Sequence, residues 1–554
     1  MLHRMEQSHD PAIIQLRKTY ISPSDTIVAI GSIVSEICCP IVVIDVATGY
    51  LCDETERMRI FKADPRFKEL VSSITKNVDK TLIRPVVERF FGYVMFSHAW
   101  EGKEPSFQDV NLANSVWDLP ETPLNNKLRV FCQETRRLGY NWAWSDTCCI
   151  DKSTSSILNQ SLTSMYKWYA NSAATLVFLA SVTHPSKPGD LARSIWMTRA
   201  WTLQELLSPK VIFFYDSEWK PYLGITGTNH KQSPEIMQEL ADTIKISTGT
   251  IVTFSPDDLG VREKLRLAST RNATKEEDVA YSLIGIFKSD ITPRYGEGTD
   301  ALGHLLEEIV ARTGDVTILA WSGTSSSYNS CLPVSVSVYS QIPYVPPSLE
   351  GEEMETRITK LRGKLSQEVV LNTYNQIMFL PPARFGTRRL HLPCIIFPVR
   401  KLELRRGTEK LYRAKVSGLG KVGFSTADDL PLDEAQKFVF AHPWIDHIRG
   451  PNSVVAWGGD PESDADSNCD SDHDAESDGV SPPSSPLHVL PPQVDGYTRA
   501  LQVIARLGQP FSALLLLQQP KGEYRRVATE EEIVVSGLGT NIPTNIRAGV
   551  LEIL

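Results

Sequence analysis

What this 554-residue chain has little of narrows it first. No apolar run approaches the ~18 residues that a membrane-spanning helix needs. The longest, "VIFFY" and "ALLLL", suit buried strands. "MLHRMEQSHDPAIIQLRK" at the N-terminus lacks an apolar h-region, so it does not read as a secretory signal. Cysteine is sparse and odd in number, at nine. The vicinal pairs Cys38-Cys39 and Cys148-Cys149 are too close in sequence for ordinary bridges and read as free thiols in a reducing compartment. A cytoplasmic protein without a membrane span is the expectation. There is no basic excess: 57 Lys and Arg stand against 66 Asp and Glu, a net charge of -9, which argues against nucleic acid as a partner. Neither C-x-x-C nor H-x-x-x-H occurs, which argues against zinc. G-x-x-x-x-G-K-[ST] is missing too, which excludes a fused P-loop ATPase at motif level. No resident cofactor or metal is expected.

What is present has the length of two to four domains and a definite rhythm. Residues 1–39 form an N-terminal segment. "PIVVIDVATGYL" then reads as a buried strand and 54–81 as helical. From 93 the strands "YVMFS", "YNWAWSD", "ATLVFLA" and "KVIFFYD" alternate with helical stretches. Leu124, Leu128, Phe131, Thr135 and Leu138 share a face of the first, which Gly139 stops. Leu158, Leu162, Met165 and Tyr169 stripe the second. The third is expected to run from an N-cap at Thr198 to Ser208-Pro209. Four alternations predict an α/β domain over 40–229, a mostly parallel sheet with helices on both faces.

A helical extension follows over 230–322, where "TKEE" (274–277) has the form of a capping box and Gly314 is a helix stop. Runs such as "EVVLNTYNQIMFL", "CIIFPVRKLEL", "KLYRAKVSG" and "KFVFAHPW" predict a β-rich accessory domain over 330–457. It resumes at 493–554 with "SALLLLQQ" and "EYRRVAT". Between them the acidic, Ser/Pro-rich tract 458–492 is too polar to offset its ordering entropy and reads as disordered. Ser463 and Ser471 there are candidate phosphorylation sites. The tract's alternating Asp residues do not make a calcium loop, because no glycine stands at the sixth position.

In an open α/β sheet, ligands bind beyond the carboxyl ends of the strands. Those ends carry Ser97, His98 and Trp100; Asp146, Cys148, Cys149, Asp151 and Lys152; Ser181 and His184; and Asp216. On a continuous helix Trp201 and Glu205 would share a face two turns in, and an aromatic neighbour would raise the carboxyl's pKa. Packing of Trp201, Leu203, Leu206 and Leu207, with Glu205 reaching solvent, explains the same pattern. Cys149 with His98 or His184 admits a thiol nucleophile; buried small hydrophobes are the plainer reading.

Together "YVMFSHAWEGKEPSFQD" (93–109), "YNWAWSDTCCIDKSTSSILNQSLTSMYKWYANS" (140–172) and "TRAWTLQELLSPKVIFFYDSEWKPYLG" (198–224) resemble, in order, the fungal heterokaryon-incompatibility (HET) domain. "TRNATKEEDVAYSLIGIF" and "RYGEGTDALGHLLEEI" are similar to the segment that follows it, so the resemblance covers roughly 40–322. Ala200 stands where the family has glycine, and "ITPR" where it has an apolar stretch. The resemblance implies a role in growth arrest or cell death when unlike hyphae fuse. It extends remotely to TIR domains, which implies a flavodoxin-like fold. Matched to TIR domains that cleave NAD, Glu205 falls on the catalytic glutamate, Trp201 on the preceding tryptophan and Ser97 on the loop beside the nicotinamide site. Trp100 or Trp201 would stack on a ring of the substrate, Lys152 would meet a phosphate, and Asp146 would line the site. Two readings stay open: an NAD glycohydrolase with NAD as substrate, or a non-catalytic, self-associating signalling module. Either implies self-association, with an incompatibility partner of unknown identity.

Overall fold

Apolar runs in the first half of the chain set a sheet of six strands among the described residues. β1 (Val43–Asp45) and β2 (Leu51–Cys52) form a hairpin, and β3 (Tyr93–His98), β4 (Trp142–Trp144), β5 (Ala174–Phe178) and β6 (Ile212–Tyr215) follow. Their order across the sheet is β2-β1-β4-β3-β5-β6. β3 runs parallel to β4 and β5, and β5 parallel to β6. Every residue of β3 and β5 is buried. Successive side chains on a strand point to opposite faces, so both faces of the central sheet are covered. The computed structural model describes residue 11 and residues 21–72, 80–405, 410–433, 436–443, 496–538 and 547–554. The tract 458–492, with Ser463 and Ser471, lies outside them.

"PIVVIDVATGYL" is not the single strand expected but the β1–β2 hairpin, antiparallel to β4. Asp45 breaks the run by accepting from the Ala47 N–H and the Thr48 hydroxyl, both at 2.9 Å. Gly49 then turns at φ +77, where a Cβ would lie 2.2 Å from Ser115 Oγ. Residues 21–72 also hold a helix, Pro23–Glu36, capped by Ser22, that a search for strands passed over.

The first two crossovers follow the helical stripes. Pro123–Arg137, capped by Thr122, buries Leu128, Phe131 and Thr135, and ends at Gly139 with φ +79. Ser155–Asn171 buries Leu162, Met165 and Tyr169. The third crossover differs from expectation. Ile195–Thr198 is a 3-10 turn, the chain breaks at Arg199 and Ala200, and a short helix spans Thr202–Leu207. Asn272 holds the break: its carbonyl accepts the Ala200 N–H at 2.8 Å and its N–H donates to the Thr198 carbonyl at 2.7 Å. Those groups are then lost to the i→i−4 ladder.

The helical extension includes Pro234–Ile244, Val261–Ala268 and Asp300–Thr313, the last ended by Gly314 at φ +67. The Thr274 capping box does not form. The helix Asp278–Tyr281 begins after Glu277, whose Oε1 accepts the Gly296 and Gly298 N–H groups at 2.8 and 3.2 Å.

The chain divides into two compact units, Met1–Ile342 with Phe385–Arg388, and Pro343–Arg384 with Arg389–Leu554. In the second, the long strand Arg389–Leu404 pairs antiparallel with Leu411–Val416, Phe438–Pro443 and Ala548–Ile553. Phe438–Pro443 continues to Phe511–Gln518, then Tyr524–Arg526, which meets Ala548–Ile553. That path returns to Arg389–Leu404 and closes the sheet. "EVVLNTYNQIMFL", expected as strand, is the helix Gln367–Met378. Ser366 caps it, and the buried Val370, Thr373 and Ile377 keep the helical period that its β-branched residues concealed. No helix of the described residues is long and apolar enough to cross a membrane.

Candidate active site

β3 lies between β4 and β5, so the chain crosses from one side of its first parallel strand to the other. The crevice beyond the carboxyl ends of the strands at such a reversal is where α/β sheets take ligands. Ser97, near the end of β3, is 1% exposed. Its hydroxyl donates to Glu205 Oε2 and accepts the Trp196 indole N–H at 2.7 Å. The broken crossover thus delivers both Trp196 and Glu205 to the end of β3.

Glu205 is 8% exposed and lies in the first turn of Thr202–Leu207, not two turns into a longer helix. Burial raises its pKa from 4.5 to about 8, against the Ser97 hydrogen bond; Asp146 raises it further, and Arg199 and Arg271 lower it. A helix N-terminus offers a carboxylate about 0.3–1 kcal/mol, less than a single pKa unit, so desolvation dominates. Arg271 is buried as well. Its Nη1 donates to the Arg199 carbonyl at 3.0 Å and to Thr202 Oγ1 at 2.7 Å, while Nη2 has no hydrogen-bond partner among the described residues. Burial pulls its pKa down to about 10, with Glu205 opposing.

A second group stands at the ends of β3 and β4. The Trp100 indole, 45% exposed, donates to Asp146 Oδ2 at 3.1 Å, and Lys152 Nζ stands 4.1 Å from the Trp100 ring centre. Burial raises the Asp146 pKa, opposed by Lys152 and the Trp100 N–H. The two groups share charges: Asp146 acts on Glu205, and Arg199 on both. Arg199 and Lys152 also act on His98, whose pKa is lowered chiefly by burial. His98 has no hydrogen-bond partner among the described residues and stacks on Phe96 with ring centres 4.2 Å apart.

Residues 93–190 match the sequence model of the family described as Heterokaryon incompatibility protein (HET). The chain carries a HET domain. It is also similar to the Vegetative incompatibility protein HET-E-1 of Podospora anserina, 34% identical over 228 residues, which cover 39% of this chain and 16% of that protein. The chain therefore spans about a sixth of that relative's length. No solved structure matches it.

The matched stretch of the HET domain holds Ser97, Trp100, Asp146 and Lys152; Trp201 and Glu205 lie beyond its end at 190. The structure brings Ser97, Trp100, Asp146, Lys152 and Glu205 into one electrostatic neighbourhood. Trp201 departs from it: its side chain bonds Asp278, which also accepts from Tyr295 at 2.8 Å. The indole that meets Ser97 is that of Trp196. Sequence reading passed over Trp196, Arg199 and Arg271, although two of them stand in the same "SIWMTRAWTLQEL". The thiol alternative is not supported: burial raises the Cys149 pKa well above the usual range, its Sγ accepts the Ser145 N–H, and among the described residues neither His98 nor His184 bonds it.

Proposed function

We propose that this chain is an effector of the incompatibility response and that its HET domain hydrolyses NAD, with Glu205 stabilising the ribosyl cation as nicotinamide leaves. The observation that carries the reading is the desolvated Glu205 carboxyl, tied through Ser97 to the end of β3. A charge held in a dry site acts far more strongly on a developing cation than one in water. Further support comes from the parallel part of the sheet, whose order of second, first, third, fourth strand is that of flavodoxin-like folds and agrees with the TIR resemblance. The exposed Trp100 face is suited to stacking on a base, and Lys152 to a phosphate. Self-association in the cytoplasm would be the trigger.

Full-length protein incubated with NAD tests this by chromatographic measurement of nicotinamide. Wild type and Cys149→Ala should release it, and Glu205→Gln should fall by about 100-fold or more. Because burial raises the Glu205 pKa to about 8, wild-type release should climb as pH rises toward that value and the carboxylate forms.

A second reading, a non-catalytic signalling module, is favoured by one observation: Glu205 already holds Ser97 and faces buried Arg271, as a structural carboxyl would. No nicotinamide from wild type, at concentrations where light scattering shows self-association, would decide for it.

A further inference from the structure

Asp216 follows β6 directly and is fully buried. Its Oδ1 accepts the Glu218 and Lys220 N–H groups at 3.0 and 2.9 Å, and its Oδ2 lies 2.8 Å from His184 Nδ1. The His184 side chain is 43% exposed, and its Nε2 has no partner among the described residues. A carboxylate only accepts, so a neutral His184 carries its hydrogen on Nδ1 and keeps a lone pair on Nε2.

This pair stands on the same rim as Ser97. Ser97, Val177 and Phe214 are in register across β3, β5 and β6, and therefore share a face. Asp216 lies two residues beyond Phe214, which continues that face. Adjacent strands are about 4.8 Å apart, which puts the end of β6 roughly 10 Å from the end of β3. Two bonds bridge the gap: Ser181, on the loop leading to His184, accepts the Ile195 N–H at 3.1 Å, and neighbouring Trp196 reaches Ser97. With reacting atoms about 3–3.5 Å apart and a base about 3 Å from its water, a carboxyl on one side of an anomeric carbon and a base on the other stand roughly that far apart.

We propose that His184 is the general base of the same site, with Asp216 fixing its tautomer; this rests on the hydrolase reading above. His184 Nε2 takes a proton from water as the water oxygen bonds to the ribose anomeric carbon. The glycosidic C–N bond breaks, and its electron pair neutralises the pyridinium nitrogen of departing nicotinamide. His184 then returns the proton to solvent. Water and NAD are consumed; ADP-ribose, nicotinamide and one proton are produced. Glu205 acts on the cation and His184 on the nucleophile.

The test uses the full chain. His184→Gln should lower kcat for nicotinamide release by about 100-fold, with KM little changed. Added imidazole should restore part of the rate in His184→Ala, which a purely structural histidine would not allow. In wild type, NAD should protect His184 from carbethoxylation by diethyl pyrocarbonate, read by peptide mass. An unaltered kcat in His184→Gln, or modification that proceeds at the same rate with NAD bound, overturns the assignment and leaves the hydrolase reading standing. Absence of release from wild type overturns both.

Discussion

Glu205 sits between opposing influences, and the balance is measurable. Unfolded, it titrates near the ordinary value of 4.5; folded, burial holds it near 8. Between those values the native state binds more protons than the unfolded one, so this residue's contribution to stability declines as pH rises. At about 1.36 kcal/mol per unit, its full effect is at most about 5 kcal/mol. Glu205→Gln removes that dependence. Its Tm should fall less than that of wild type between pH 6 and 9, as scanning calorimetry would show; parallel curves would mean that Glu205 is not desolvated. Trp196→Phe deletes one indole N–H from Ser97 and should cost about 1 kcal/mol in urea unfolding. The site's chemistry was partly legible at this scale. Glu205 among leucines and Ser97 at a strand end were conspicuous in the sequence. The choice between two tryptophans was not, because it depended on the break at Arg199.

That break belongs to the scale of elements. Helices whose stripes run unbroken, such as Pro123–Arg137, were readable because 3.6-residue spacing and a terminal glycine need only local sequence. The third crossover was not, since its partner Asn272 lies some seventy residues further along. Gln367–Met378 was misread because β-branched residues favour strands locally, while the buried stripe that decides the matter depends on packing. Packing also makes a sharp prediction at Gly285, in the short helix Ile284–Phe287. A Cβ there would lie 2.1 Å from Tyr166 Cβ on the helix Ser155–Asn171. Gly285→Ala should therefore cost about 1–3 kcal/mol by denaturant unfolding, whereas alanine normally favours a helix.

At the scale of the whole molecule, Cys38, Cys39, Cys52, Cys132, Cys148 and Cys149 stand as free thiols. Cys132 and Cys149 have their thiols pushed well above the usual range by burial. Adding dithiothreitol should leave Tm unchanged, and both residues should resist alkylation until the protein is unfolded, as peptide mapping would report. The parallel part of the sheet was legible here because four apolar runs alternate with three polar-faced helical segments. The closed path of strands in the second unit was not, since closure depends on which edges meet.

The two-way backbone bond between Asn272 and the Thr198–Ala200 segment bears on how the chain can be shortened. A fragment cut at 230 would keep every side chain credited here with chemistry, from Ser97 to Asp216, and would still contain the whole matched stretch. It would lose the carbonyl and amide that hold the bend before Glu205, together with the guanidinium that braces Arg199 and Thr202. The family-model boundary at 93–190 is narrower than the one the chemistry requires.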